Sequence, residues 1–356
     1  MKKPKTLLIT PNDSTFTRVD AKLLSQSCKL ETYDLRQHKG RLGYFWRIMG
    51  CIFRILLCRY QLIFIWFADY HAAVAVFLAK LLKTPSVVFI GGYDAVCYPE
   101  LQMGVYCSPF RSKFASFALK NCSLIISNHE ALLDSSNTFY NPNGHPEGVF
   151  RLVKDLKTPA RVIYNALTVD VPEAELLTQE RELVFLAVGT TPRYLDIFNK
   201  GLELVAQMAV LFPEYRFEIV GIDPKWQEKF IELLGGVVPE NLSLRGYIPH
   251  AEVLALMRSS RYYIQASISE GMPNALMEAM LMGCLPIGSN VAGIPTIIGE
   301  YGVVFDKRDA ESLRQALVKA LELKLQPLDI SKHVATSFSQ EIRGKLLQQI
   351  VQDLQK

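Results

Sequence analysis

Residues 269–286 read SEGMPNALMEAMLMGCLP. Pro273 fits the first helical position, where a missing N–H costs nothing, and Gly283 ends the periodic run, so the spacing predicts a helix over about 273–282. A short apolar strand, CLPIG (284–288), follows at once. Such αβ joints recur along the chain. KTLLIT, LIFIWF, SVVFI and SLIIS form one series, each run separated from the next by a helix-length amphipathic stretch. LVFLAV (183–188), RFEIV (216–220), LSLRG (242–246), YYIQA (262–266), CLPIG and GVVFD (302–306) form a second. Alternating elements of this kind predict parallel, doubly wound sheets, here twice over.

At 356 residues and 40.2 kDa the chain exceeds a single core, and two domains of roughly 150 residues each are expected. The stretch 137–180, rich in Pro, Gly and Asn, places the boundary near 168–182. We therefore read residues 1–170 as one Rossmann-like domain and 171–335 as a second, with 336–356 as a helix returning to the first. Two such domains facing each other leave a cleft at the strand carboxyl ends.

A net charge of +4, spread without a basic stripe, gives no sign of nucleic-acid binding. Seven cysteines without a CxxC pair suit a reduced, cytosolic protein. The apolar run after the basic start, MKKPK, is too short for a signal-peptide core. Residues 40–67 are aromatic and aliphatic, but arginines at 41, 47, 54 and 59 never leave the ~18 uncharged residues of a membrane span. Two readings stay open: a segment lying at the lipid interface on the inner face of the cell membrane, or a core helix with snorkelling arginines followed by a buried strand. No GxGxxG follows either first strand, which removes the main support for a dehydrogenase.

The apolar helix carries one carboxylate, Glu278, and follows another, Glu270. At ~1.5 Å per residue the two stand on the order of 10 Å apart, the length of a sugar diphosphate joined to a ribose. The helix amino terminus between them offers free N–H groups and a positive dipole end to a diphosphate. Glu278 is flanked by apolar residues, and an unpaired buried carboxylate costs several kcal/mol. Ribose hydroxyls, or an arginine such as Arg258 or Arg261, would satisfy it.

The stretch EGMPNALMEAMLMGCLPIGSNVAGIP resembles the E-x7-E segment of the retaining, family-4 glycosyltransferases of the GT-B fold. Weaker likeness runs over most of 160–325, in VIYNALTVD, FNKGLELV, FEIVG and LRGYIPHAEVLALM, while in the amino-terminal half only GGYD (91–94) matches. The resemblance implies that Glu270 holds hydroxyls of the donor sugar, Glu278 the ribose and Lys200 the diphosphate. It also implies that Gly271 lets the chain approach the ligand, that Met272, Pro273 and Asn274 open the phosphate-facing helix, and that Gly189 and Gly293 lie near the phosphates. Tyr247 and Ile248 would border the base. Asp94, turned into the cleft by two glycines, would handle the acceptor or its proton. Glu270, Asp94 and Lys200 are thus the catalytic candidates.

The sequence also departs from the family pattern. Thr190 stands where the family has an arginine, with Arg193 three residues on as a substitute for the phosphates. Ala292 replaces a glycine, Thr296 a glutamate and Gly91 a histidine, and Pro11–Ser14 replace a glycine-rich loop. His71 and His129, at strand ends, read first as caps or core residues.

The expected partners are a nucleoside-diphosphate sugar and a glycan or lipid-linked acceptor, with no metal or other cofactor. Two rival functions share this frame: a non-catalytic nucleotide-sugar-binding subunit and a nucleotide-sugar epimerase.

Overall fold

The computed structural model describes residues 3–11, 13–35, 40–167, 169 and 180–356. The boundary expected at 168–182 lies largely outside these residues, as does Asn12. The chain divides into two compact units. One comprises Met1–Ser135, Pro146–Thr168 and Phe338–Lys356, and the other Ser136–His145 and Val169–Ser337.

The first unit runs β1 (Lys5–Thr10), α1 (Thr15–Ser27), β2 (Lys29–Asp34), α2 (Gly40–Cys58), β3 (Leu62–Trp66), α3 (Tyr70–Leu81), β4 (Ser86–Ile90), α4 (Pro109–Asn121) and β5 (Leu124–Ser127). After β5 the chain makes a small hairpin of β6 (Ser135–Asn137) and β7 (His145–Glu147), of which Ser136–His145 belong to the second unit, and the first unit resumes with a one-turn helix α5 (Val149–Leu152) and β8 (Ala160–Val162). The sheet order is β2-β1-β3-β4-β5-β8, parallel throughout. Every residue of β3, β4 and β5 is buried, as both faces of a helix-covered parallel sheet require. Alternate residues feed separate cores: Ile63, Ile65 and Val88 pack on one side, and Phe64, Trp66 and Phe89 on the other.

The second unit runs β9 (Glu182–Val188), α6 (Leu195–Asn199), α7 (Leu202–Leu211), β10 (Arg216–Val220), α8 (Pro224–Leu233), β11 (Leu242–Arg245), α9 (His250–Ser259) and β12 (Ser260–Gln265). It continues with α10 (Asn274–Leu281), β13 (Leu285–Ser289), α11 (Gly293–Ile298), β14 (Val303–Phe305), α12 (Ala310–Glu322) and α13 (Pro327–Ser337). Its parallel sheet has the order β11-β10-β9-β12-β13-β14. Counted within the unit, that is 3-2-1-4-5-6, so the strand order reverses between β9 and β12. Ligands of such sheets bind outside the strand carboxyl ends at that reversal. Each unit is therefore a Rossmann-like domain.

The last helix, α14 (Gln340–Asp353), belongs to the first unit. Its Leu347, Ile350 and Val351 join the core formed by Phe64, Trp66 and Phe89. Arg343 is buried there with Asp20, at 2.6 and 2.8 Å, and donates also to the carbonyls of Ile163 and Tyr164. Trp66 Nε1 gives Asp20 a further donor at 3.1 Å. This network satisfies both charges, and removing one partner of such a buried pair costs about 3–5 kcal/mol.

Candidate functional site

β9 and β12 deliver their carboxyl ends side by side, and the residues there form a connected polar cluster. β12 ends in Gln265, and the turn Ala266–Pro273 carries Ser267 and Glu270 to the start of α10. Across from it Lys200 caps α6, with Gly189 lying against its side-chain stem. Lys200 Nζ donates to Glu270 Oε1 at 2.5 Å. The same oxygen accepts from Ser267 Oγ at 3.0 Å and Gln265 Nε2 at 3.4 Å. Tyr263 Oη in turn donates to Gln265 Oε1 at 3.1 Å, and Gln265 Nε2 to Ser267 Oγ at 2.7 Å. The buried chain Tyr263–Gln265–Ser267 thus fixes Glu270 through one oxygen. Glu270 Oε2 receives no hydrogen bond among the described residues.

Two glycines set this geometry. Gly201, next to Lys200, has φ +65° and so near a neighbour that a Cβ would stand 2.2 Å from the carbonyl oxygen of Ala266. That contact presses the Lys200 turn against the end of β12. Gly293, at the start of α11, donates to the Gly271 carbonyl at 3.0 Å, and a Cβ there would fall 2.4 Å from the same oxygen. The Glu270–Gly271 turn is held further by Ile268 N donating to Asn199 O and by Asn137 Nδ2 donating to Ile268 O, each at 2.8 Å. The preceding Ala292 has φ +42° and ψ −119°, a backbone that L residues rarely adopt.

α10 begins at Asn274, one residue later than the spacing predicted, with Pro273 as its N-cap; it ends at Leu281. Pro273 thus precedes the helix, where its missing N–H is equally harmless. Met272 is buried, and Gly271 and Asn274 flank it and Pro273 in the turn. Glu278 is buried on α10, and its Oε2 lies 3.0 Å from His250 Nε2 at the start of α9. A histidine on the neighbouring helix is therefore one of its partners. His250 stands directly after Pro249, at a strand-to-helix joint that points toward the sheet's carboxyl edge, and that position was the available signal for it. Gln265 and Ser267 were missed too, although polar side chains closing an apolar strand are uncommon enough to mark.

Other sequence candidates are placed as follows. The Arg193 guanidinium is bound by Asp196, whose Oδ2 also accepts from Arg193 N at 2.8 Å. Tyr247 is 79% exposed and Ile248 partly so, just past β11. Thr190 is exposed after β9, and Thr296 lies on α11.

In the first unit, Asp94 is enclosed, 1% exposed. Its carboxylate accepts from the amides of Ala68 (2.9 Å), Gly91 (3.0 Å) and Gly92 (3.2 Å). Burial pushes its pKa up to about 6, against the pull of those N–H donors. The carboxylate is thus spent on tying the β3 and β4 turns together. A Cβ at Gly91 would lie 2.7 Å from the Phe67 ring, which fills the space that a larger residue would need. His71 Nε2 bonds the Trp66 carbonyl at 2.8 Å, and burial lowers its pKa. His129 caps a one-turn helix by accepting from Ala131 N through Nδ1 at 3.1 Å.

Residues 181–323 match the family model described as glycosyl transferases group 1. Among curated proteins, a putative colanic acid biosynthesis glycosyltransferase, WcaL, of Salmonella typhimurium is 27% identical over 188 residues, 49% of this chain and 45% of its own. The chain spans less than half the length of the curated relatives it matches. Among solved structures, sucrose-phosphate synthase from Thermosynechococcus elongatus superposes with a TM-score of 0.71 at 16% identity, covering 99% of both chains. HepE of Anabaena, solved in complex with UDP and glucose, gives 0.66 at 16% identity, covering 98% of this chain and 99% of its own. Both likenesses concern the fold, which is that of GT-B proteins.

Proposed function

We propose that this chain, a GT-B protein whose residues 181–323 are a group 1 glycosyltransferase domain, is a retaining hexosyltransferase. It would move a sugar from a nucleoside-diphosphate donor to a glycan or lipid-linked acceptor, in polysaccharide synthesis at the inner face of a bacterial membrane. The observation that carries the reading is the convergence of Lys200, Ser267 and Gln265 on one oxygen of Glu270, with the other oxygen left open. A carboxylate fixed on one side and open on the other is prepared to accept hydroxyl donors from a sugar.

In this assignment Glu270 Oε2 takes donor-sugar hydroxyls, and Lys200 Nζ turns from Glu270 Oε1 toward the diphosphate. Glu278, held by His250, takes the ribose, while the first amides of α10 face the phosphates. As the bond from the anomeric carbon to the phosphate oxygen breaks, charge grows on the leaving diphosphate, where Lys200 and those amides counter it. The acceptor hydroxyl attacks from the same face, and the departing phosphate oxygen takes its proton. No step is assigned to a metal ion or to Asp94.

The test is incubation with UDP-, GDP- and dTDP-sugars and measurement of free nucleoside diphosphate. Slow donor hydrolysis, stimulated by acceptor, supports the assignment. Tight binding without turnover would make the chain a binding subunit, and interconversion of the donor sugar an epimerase.

A further inference from the structure

α2 is apolar on two faces. Cys51 and Ile55 face the core of the first unit, with Ile48 and Ile52 packed beside them. At ~100° per residue, Leu42, Trp46, Phe53 and Leu57 fall within about 60° of arc on the opposite side. They are 77%, 68%, 56% and 76% exposed. A helix buries one stripe when it only has a core to cover, so the second stripe is unexplained by folding. It continues onto neighbouring helices. Phe77 of α3 and Phe110 of α4 are 55% and 63% exposed, and together with Ile52, Phe114 and Phe117 they line a groove of about 610 Å³.

The charges on these helices have one sign. α2 carries Arg47 and Arg54, α3 carries Lys80, and α4 carries Arg111, Lys113 and Lys120; none of the three contains an Asp or a Glu. Acids reach this surface only from neighbouring elements, where Glu31 on β2 pairs with Arg54 and Asp69, the N-cap of α3, pairs with Arg111 at 2.5 Å. Lys113 lines the groove beside the phenylalanines. Among the described residues no helix is long and apolar enough to cross a membrane.

We propose that the α2–α3–α4 face docks in the plane of an anionic lipid bilayer. The exposed stripe of α2 enters the acyl boundary, and the lysines and arginines meet the headgroups. A second copy of the chain is a poor occupant, because it would set cations against cations. The inference rests on the first unit alone and is independent of the donor-site assignment.

Vesicle co-sedimentation tests it, with phosphatidylcholine alone or mixed with phosphatidylglycerol. Emission from Trp46 gives a second readout in a Trp226→Phe background, since Trp66 is already buried. Binding to the anionic vesicles, a blue shift of Trp46 and weakening by salt are expected. Lys113→Gln and Lys120→Gln should each weaken binding about fivefold, and Leu42→Ser with Phe53→Ser on the order of tenfold or more. These side chains are exposed, so thermal unfolding should hold and donor hydrolysis without acceptor should not change. The proposal is overturned by absent vesicle binding, by equal binding to neutral vesicles, by binding that survives all four substitutions, or by a vesicle-free dimer that Phe53→Ser dissociates.

Discussion

Lys200 Nζ and Glu270 Oε1 stand 2.5 Å apart at the reversal of strand order in the second sheet. Lys200→Ala should weaken binding of nucleoside diphosphate by about 10- to 100-fold, the range for losing a hydrogen bond to a charged group. Glu270→Ala should leave that affinity within a few-fold and lower donor turnover much further. Calorimetric titration with UDP and GDP, beside the hydrolysis assay, separates the two, and unchanged values in both variants would place the site elsewhere.

His250 and Glu278 make a second pair with unequal consequences. Glu278→Ala removes the proposed ribose ligand and should abolish measurable nucleotide binding. His250→Ala leaves a buried carboxylate with one donor fewer, which costs about 1–3 kcal/mol of stability, and should reduce affinity less. Chemical denaturation and nucleotide titration of both variants check the order.

Gly201 and Ala292 predict opposite results. Gly201→Ala forces a Cβ toward the Ala266 carbonyl at φ +65° and should cost about 2–3 kcal/mol, while loosening the Lys200 turn. Ala292→Gly relieves a strained backbone at the cost of chain entropy, for a net gain of about 1 kcal/mol, or roughly 2–4 °C in Tm. Thermal melts decide both signs.

Asp94 predicts a pH dependence. Its folded pKa of about 6 lies above the ordinary value of 3.8, so folding favours the protonated acid. Its contribution, on the order of 3 kcal/mol, is fully present below about 3.8 and is lost as pH rises through about 6. Asp94→Asn should therefore flatten the fall of Tm between these values relative to the parent chain.

Much of this was legible in the sequence because buried parallel strands announce themselves as unbroken apolar runs. KTLLIT, SVVFI and RFEIV coincide with β1, β4 and β10. β2 and β8 were not legible, since edge strands expose alternate polar residues, as KLETYD does, or are only three residues long. The site's frame could be read from the Glu270 and Glu278 spacing and the Lys200–Gly201 pair. Its supports could not, because Gln265, Ser267 and His250 come from separate elements that meet only through the strand order. The surroundings of Asp94 were not legible for a related reason: a turn acid after two glycines looks the same in sequence whether it faces solvent or gathers the amides around it.

Arg343 meets Asp20 across 323 positions of chain, and a complete Rossmann-like domain is threaded between them. During synthesis the second unit has all its strands before α14 exists, so it can finish folding while the first still lacks the cover for Phe64, Trp66 and Phe89. The half of the molecule that starts first is therefore completed last, and a chain cut short before Gln340 would leave its damage at the opposite end of the sequence from the break.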